Sequence, residues 1–370
     1  MSCGSCFGAQ DEEEEQFVQV VGNLVHVVAI INPNSCGAQA AISQLNKLKD
    51  RATVLLLERG GAISLDAACA KCVEEHGDLR FAAGGGDGTI SAVTGIVADA
   101  CRLAGLPAAL PLAPLPLGTG NEAANVLGWG AGYGGGPLHK TIQQVARGRT
   151  VNLDRWRWQH TTSEGKRGEA RDFVCFFSIG FDAAISHNFT LQRERNPSSC
   201  STVAKNKAWY TWYGAKELFA SESYIGGGGV TKLVVDGAEV ALPAGINSLQ
   251  VFNIHSSGDG IDFFGTGQAS VDGELSGHRP PCVGDGLLEV VGTRGVADLL
   301  LVRTKIRHSH RLAQGARIEI HLAGTRPAQM DGETWMAEPG VIEISAHDAG
   351  PVPVVLGPRK HRNAEPRRAD

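Results

Sequence analysis

Gly84-Gly85-Gly86-Asp87-Gly88-Thr89 places four glycines and one carboxylate between the apolar run Phe81-Ala82-Ala83 and a helical pattern that begins at Ile90. Glycines at a strand-to-helix junction let backbone N–H groups approach an anion, and the first helical turn adds partial positive charge. The chemistry such a stretch supports is phosphate binding with an acid alongside; a plain glycine-rich turn is the alternative. Two further stretches share its placement. Asn32-Pro33-Asn34-Ser35-Cys36-Gly37 follows the continuous apolar run from Asn23 to Ile31, and Gly118-Thr119-Gly120-Asn121 follows Pro114-Leu115-Pro116-Leu117. In an open α/β sheet the loops at the carboxyl ends of the strands line one crevice, so the three can face the same ligand.

The elements that must hold these loops follow from the pattern. Apolar runs at 23–31, 53–57 and 79–83 read as buried parallel strands, and helices are expected over 38–49, 63–75 and 122–127. Alternating strands and helices imply a parallel sheet. From about residue 151 the texture changes to short strands with turn glycines, expected at 173–178, 232–235, 248–254, 287–291, 317–322 and 341–345, with one helical interlude at 205–220. The expected organisation is an acidic, disordered tail over 1–22, an α/β domain over 23–150, a β-rich antiparallel domain over 151–356, and a basic tail over 357–370.

Composition narrows the function. A chain of 370 residues with 42% hydrophobic content has room for two cores, and a formal net charge of -5 argues against a nucleic-acid partner held by bulk charge. The longest apolar stretch, Leu103 to Leu117, is broken by Pro107, Pro111, Pro114 and Pro116, so no membrane span is expected. The N-terminus lacks a signal-peptide pattern, which points to a reducing, cytoplasmic setting with free cysteines. Cys3/Cys6 and Cys69/Cys72 lack zinc-site spacing, and His308 with His310 lacks a third ligand. Gly118-x-Gly120-x-x-Ala123 fits a dinucleotide fingerprint, but the preceding strand carries two prolines and no acid follows at the ribose position. No Walker A sequence and no protein-kinase loop set occurs.

Asn32-Pro33-Asn34-Ser35-x-Gly37, Gly85-Gly86-Asp87-Gly88-Thr89 and Leu117-Gly118-Thr119-Gly120-Asn121 together resemble the catalytic domain of the diacylglycerol kinases, in a superfamily that includes sphingosine and ceramide kinases. Phe177 to Ala183, Arg193 to Pro197, Lys205-Asn206-Lys207-x-Trp209-Tyr210, Gly284 to Val291, Arg311 to Gln314 and Gln329-x-Asp331-Gly332-Glu333-x-Trp335 resemble the accessory domain of the eukaryotic branch. The resemblance runs from about Val25 to Ser345. It implies a Rossmann-like, phosphofructokinase-like α/β domain, a β-sandwich domain, and a site in the cleft between them. The implied reaction is ATP-dependent phosphorylation of 1,2-diacylglycerol to phosphatidate, with Mg²⁺. A sphingosine or ceramide kinase and an inactive lipid-binding scaffold are the alternatives.

On that resemblance Asn32, Pro33, Asn34, Ser35, Gly37, Gly85, Gly86, Gly88, Thr89, Gly118, Thr119, Gly120 and Asn121 form the nucleotide cradle, with Lys205 and Lys207 able to reach the phosphates. Phosphoryl transfer asks for backbone donors, a metal and a carboxylate near the acceptor hydroxyl. Asp87 is the leading choice for that carboxylate and for the metal, followed by Asp331 and Glu333, which would meet the reacting group across the cleft. Asp154 and Asp285 are further metal candidates. Cys36 stands where the family usually has glycine and Gly84 where it often has cysteine, so nucleotide affinity is expected to depend on Cys36. No zinc module or EF-hand loop is seen ahead of the domain, which reads as a catalytic-only form. Membrane access is expected to be peripheral and reversible, through Ile261-Asp262-Phe263-Phe264 and through anionic lipid at the basic C-terminal tail.

Overall fold

The computed structural model describes residues 25–57, 65–76, 79–106, 109–219, 223–226, 228–257, 261, 263–264, 279–304, 306 and 309–358. The two expected tails, apart from Gly357 and Pro358, lie outside these residues, as do Asp262 and His308.

The chain opens with β1 (His26–Ile31), α1 (Ala38–Leu45), β2 (Ala52–Leu56), α2 (Leu65–Glu75), β3 (Leu79–Gly85), α3 (Asp87–Leu103) and β4 (Leu112–Pro116), then α4 (Glu122–Val126), α5 (His139–Arg147) and β5 (Thr150–Leu153). The strands β2-β1-β3-β4 pair in parallel in that order. Both faces are covered, which is why the strands read as unbroken apolar runs. Val28, Ile30, Phe81 and Ala83 pack against Ile90, Val93 and Val97 of α3, while Val27, Ala29, Ile31 and Ala82 pack against Ala38, Ala41 and Leu45 of α1 and Ile142 and Val145 of α5.

The second unit runs β6 (Trp156–Thr162), β7 (Arg171–Phe173), β8 (Phe176–Gly180), α6 (Phe181–Arg195), α7 (Val203–Glu217), β9 (Val230–Val235), β10 (Ala238–Val240), β11 (Ser248–Phe252), β12 (Leu288–Thr293), α8 (Val296–Arg303), β13 (His310–Gly315), β14 (Arg317–Leu322), β15 (Arg326–Met330), β16 (Glu333–Ala337) and β17 (Gly340–Ala346). It folds as two antiparallel sheets, β10-β9-β14-β17-β6-β7 and β13-β12-β11-β8-β15-β16. Alternate residues of each sheet, among them Trp158, Ile318 and Ile342 from one and Phe177, Leu249 and Val290 from the other, share one core. This is the expected sandwich, with two helices, α6 and α8, beyond the single interlude expected from sequence.

The last strand, β18 (Val352–Val355), leaves the sandwich and returns to the first sheet. It runs parallel to β4 at Val354 and Leu112 and antiparallel to β5 along Val352–Val355. Trp129 Nε1 secures it by donating to the Val355 carbonyl at 2.7 Å. Both β5 and β18 therefore belong to the first sheet, and the α/β unit is discontinuous in sequence. The division expected at residue 150 marks a change of strand texture; sheet membership depends on long-range pairing that texture does not encode.

Candidate active site

The three loops leave the carboxyl ends of β1, β3 and β4 and touch one another through backbone. Asn32 N donates to the Gly84 carbonyl at 2.9 Å, Gly37 N to Leu117 at 3.2 Å, and both Leu117 N and Gly118 N to Gly85, at 3.1 and 3.2 Å. Within the first loop Asn34 N donates to Asn32 Oδ1 at 3.0 Å, and Asn32 Nδ2 reaches out to Thr89 Oγ1 at 3.1 Å, tying that loop to α3. Asn121 closes the third loop, accepting from Gly118 N and donating to the Gly118 and Ala131 carbonyls. The glycines are required by this closeness. A Cβ on Gly118 would lie 2.6 Å from Gly86 Cα, one on Gly85 would lie 2.3 Å from Thr89 Oγ1, and one on Gly84 would lie 2.3 Å from Ile31 Cδ1. The last contact explains glycine at position 84 in this chain.

Gly86 precedes α3 in extended conformation and no side chain caps the helix. The first amides of a helix have no partner inside it, so this end offers donors and partial positive charge at the meeting point of the loops. Backbone donors in a recess that a Cβ would fill fit a phosphate group.

Asp87, the first residue of α3, is buried. Its Oδ1 accepts from Ala123 N at 3.0 Å and its Oδ2 from Glu122 N at 3.1 Å, so the carboxylate caps α4. Burial pushes its pKa up, and the Ala123 and Glu122 amides pull it down. Asp87 thus fixes the third loop relative to α3, a role not foreseen for it.

Asp331 and Gly332 form a two-residue hairpin between β15 and β16, with φ of 48° and 86°. Both positive values are what such a hairpin requires, and Asp-Gly is suited to supply them. Asp331 is turned inward. It accepts from Val174 N at 3.0 Å, Cys175 N at 3.1 Å and Phe176 N at 2.8 Å, and from the Ser91 hydroxyl of α3. Burial pushes its pKa up to about 7 against the pull of Ser91, Val174 and Phe176. Asp331 therefore clasps the sandwich to α3, where sequence had led us to expect it at the reacting hydroxyl.

Glu333 is different. It is exposed, and among the described residues it makes no hydrogen bond or ion pair. The hairpin lies against the start of α3: a Cβ on Gly88 would sit 3.1 Å from the Asp331 carbonyl and 4.0 Å from Glu333 Oε1. The acid of the sandwich and the glycine-rich helix start thus meet at one place.

The lysines are arranged otherwise than expected. Lys205 is exposed, and its Nζ donates to the Ser198 carbonyl and Ser201 Oγ at 3.2 and 3.1 Å. The residue between the lysines, Asn206, is the buried one: its Nδ2 donates to Thr119 Oγ1 at 2.8 Å and lies 4.0 Å from Cys36 Sγ. Its Oδ1 is buried with no hydrogen-bond partner among the described residues. Asn206, Ser91 and Cys175 were missed as site residues. The signal for Asn206 was its place in Lys205-Asn206-Lys207; Cys175, whose thiol bonds to Asp87, carried none.

Asp154 and Asp285 stand together away from these contacts. Asp154 Oδ2 accepts from Gly286 N at 2.7 Å, and burial, reinforced by the charge of Asp285, pushes its pKa up to about 6. No printed hydrogen bond links either acid to the three loops, and among the described residues no group of three or more His, Cys, Asp or Glu could hold a metal ion. The described cysteines are free.

With this geometry in hand, the chain was compared with known proteins. The diacylglycerol kinase catalytic domain family matches residues 26–157 and the diacylglycerol kinase accessory domain family matches residues 173–334. The chain belongs to the diacylglycerol kinase family. The catalytic match holds all three loops, and the accessory match ends one residue past Glu333. Diacylglycerol kinase theta of Homo sapiens is 31% identical over 355 residues, covering 93% of this chain and 36% of the relative. The Mus musculus protein of the same name is 30% identical over 332 residues, covering 86% and 34%. The chain thus spans little more than a third of the curated relatives it matches. A solved diacylglycerol kinase from Bacillus anthracis str. Sterne shares the fold, with a TM-score of 0.51 at 14% identity, over 91% of this chain and 98% of that one.

Proposed function

We propose that this chain transfers the γ-phosphoryl group of ATP to the free hydroxyl of 1,2-diacylglycerol, giving phosphatidate, with Mg²⁺. The observation that carries the reading is the meeting of the uncapped start of α3 with the Asp331–Glu333 hairpin at Gly88, which joins backbone donors to an unpaired carboxylate. A nucleotide with its metal would supply the phosphoryl group and neutralise charge on its oxygens. Gly85, Gly86, Gly88, Thr89, Gly118, Thr119 and Gly120 would hold the phosphates, with Asn32, Pro33, Asn34, Ser35 and Gly37 at the rim and Asn121 closing the third loop. Lys205 and Lys207 would act at longer range, on the general field of the site.

The acids divide the work. Asp87 and Asp331 have carboxylates already filled by backbone amides, so they position α4, the third loop and the sandwich. Glu333 is open to solvent beside Gly88, and we assign to it the contact with the acceptor hydroxyl, whose proton it takes as the new P–O bond forms. A weak base suffices for this, because phosphoryl transfer has a loose transition state in which positioning dominates. One or two carboxylates plus phosphate oxygens are the usual Mg²⁺ set, which agrees with the lack of a protein-only cage among the described residues.

No helix among the described residues is long and apolar enough to cross a membrane. A diacylglycerol acceptor then calls for peripheral contact. The assay is direct: the protein with Mg²⁺-ATP and micelles containing diacylglycerol, sphingosine or ceramide should label phosphatidate alone. Label on sphingosine or ceramide would move the assignment to that branch of the superfamily.

A further inference from the structure

Helix α7 runs for 15 residues with Asn206 as its one buried residue, although it carries Trp209, Tyr210, Trp212 and Tyr213. Trp212 is 54% exposed, Phe219 just past the helix is 89% exposed, and Leu218 between them is exposed too. On α8, which packs beside α7, Leu300 and Leu301 are exposed, and Ile306 beyond its end is 75% exposed. Trp212, Lys216 and Phe219 follow the i, i+4, i+7 spacing that puts side chains on one helical face. Single exposed leucines are ordinary; an aromatic and aliphatic patch shared by two neighbouring helices is not.

Charge indicates what covers the patch. The chain carries a net charge of -5, yet α7 has Lys205, Lys207 and Lys216 against one acid, Glu217. The Lys216 ammonium lies 5.6 Å from the Trp212 ring and 5.9 Å from that of Tyr213, so a cation is set within the aromatic cluster. A second copy of the chain would bring like charges face to face across a two-fold axis. An anionic bilayer satisfies both parts: indole and phenyl rings enter the headgroup boundary while lysine stems extend to the lipid phosphates.

We propose that the α7–α8 face is the membrane-docking surface of this chain, with Trp212 and Phe219 entering the bilayer and Lys216 meeting anionic headgroups. The inference rests on reading the acceptor as a membrane lipid. It replaces the expected Ile261-to-Phe264 segment, in which Ile261, Phe263 and Phe264 are buried around Phe252. It also links docking to the site, since Asn206 near the start of the same helix donates to Thr119 of the third loop.

The test is sedimentation of the full chain with phosphatidylcholine vesicles, with and without phosphatidylserine and with no diacylglycerol, beside phosphorylation of a short-chain diacylglycerol below its micellar concentration. Trp212→Ser combined with Phe219→Ser should lower vesicle binding about tenfold or more. Lys216→Glu should remove the gain given by phosphatidylserine, and activity on the dispersed substrate should stay within about twofold in both variants. Vesicle binding unchanged in the double variant, or absent in the parent, overturns the proposal. So does a fall in binding accompanied by a change from dimer to monomer, which would assign the face to a second copy. If docking behaves as expected but no diacylglycerol is phosphorylated, the proposed function falls while the docking surface stands.

Discussion

The three loops of the first sheet build their part of the site from backbone, whereas the β15–β16 hairpin builds its part from carboxylates. In the loops, glycines approach so closely that a Cβ on Gly118 would lie 2.6 Å from Gly86 Cα. In the hairpin region the approach is made by Asp331, whose side chain takes three amides and a hydroxyl. The first arrangement leaves donors available to an anion; the second uses up an anion to hold two units together. Presence of an acid at a family position therefore does not fix its task, and burial with hydrogen-bond saturation separates the framework acids, Asp87 and Asp331, from Glu333.

The sharpest way to break this contrast is Asp331→Ala. Removing the acceptor leaves buried amides of Val174, Cys175 and Phe176 without a partner, which should cost on the order of 3 kcal/mol or more. Denaturant unfolding should show that loss, and limited proteolysis should show the sandwich released from α3. A variant as stable as the parent would remove Asp331 from the framework.

Gly118→Ala attacks the backbone half. Its Cβ would push the third loop off Gly86, so the ATP Michaelis constant should rise about tenfold or more while stability falls by about 1–3 kcal/mol. Nucleotide titration followed by fluorescence, together with thermal unfolding, measures both. Unchanged nucleotide affinity would mean that the loops do not form the cradle.

Glu333→Gln separates chemistry from structure. The side chain is exposed, so stability should shift by less than about 0.5 kcal/mol, whereas kcat should fall about 100-fold with little change in KM. Asp87→Asn is the poorer probe, because its new NH₂ would face one of two backbone N–H donors and unsettle α4. Normal turnover in Glu333→Gln would return proton acceptance to Asp87.

Smaller effects are expected where the two regions touch. Asn206→Ala removes the bond from α7 to Thr119 and should raise the ATP Michaelis constant a few-fold, about 1 kcal/mol in binding. Cys36→Gly should shift it least. Cys36 is exposed, and its nearest polar neighbour, Asn206 Nδ2, is 4.0 Å away. Steady-state kinetics on both variants checks their order.

Much of the first sheet was legible because its information is local: apolar runs, then glycine or asparagine punctuation, then helical spacing. The three loops and the β14 strand follow directly from such patterns. What sequence could not supply was long-range. Asp87 meets amides 35 and 36 residues away, and Asp331 meets amides about 155 residues earlier in the chain. Nothing in the order of residues tells a carboxylate turned inward from one turned out. Asn206 was masked by the lysines on either side, whose charge made them the apparent phosphate ligands. The strand β18 was hidden for another reason: Pro351 and Pro353 suit an irregular segment, and the strand is tolerated beside the sheet's edge, where Pro353 faces Asn152 of β5.

The measurement that tests the central claim most directly is transfer of label from γ-labelled ATP, in the presence of Mg²⁺, to micellar 1,2-diacylglycerol by the purified full chain. The account predicts labelled phosphatidate that disappears on chelation of the metal and is strongly reduced by Glu333→Gln and Gly118→Ala. A correctly folded protein that binds ATP yet labels no diacylglycerol would contradict it.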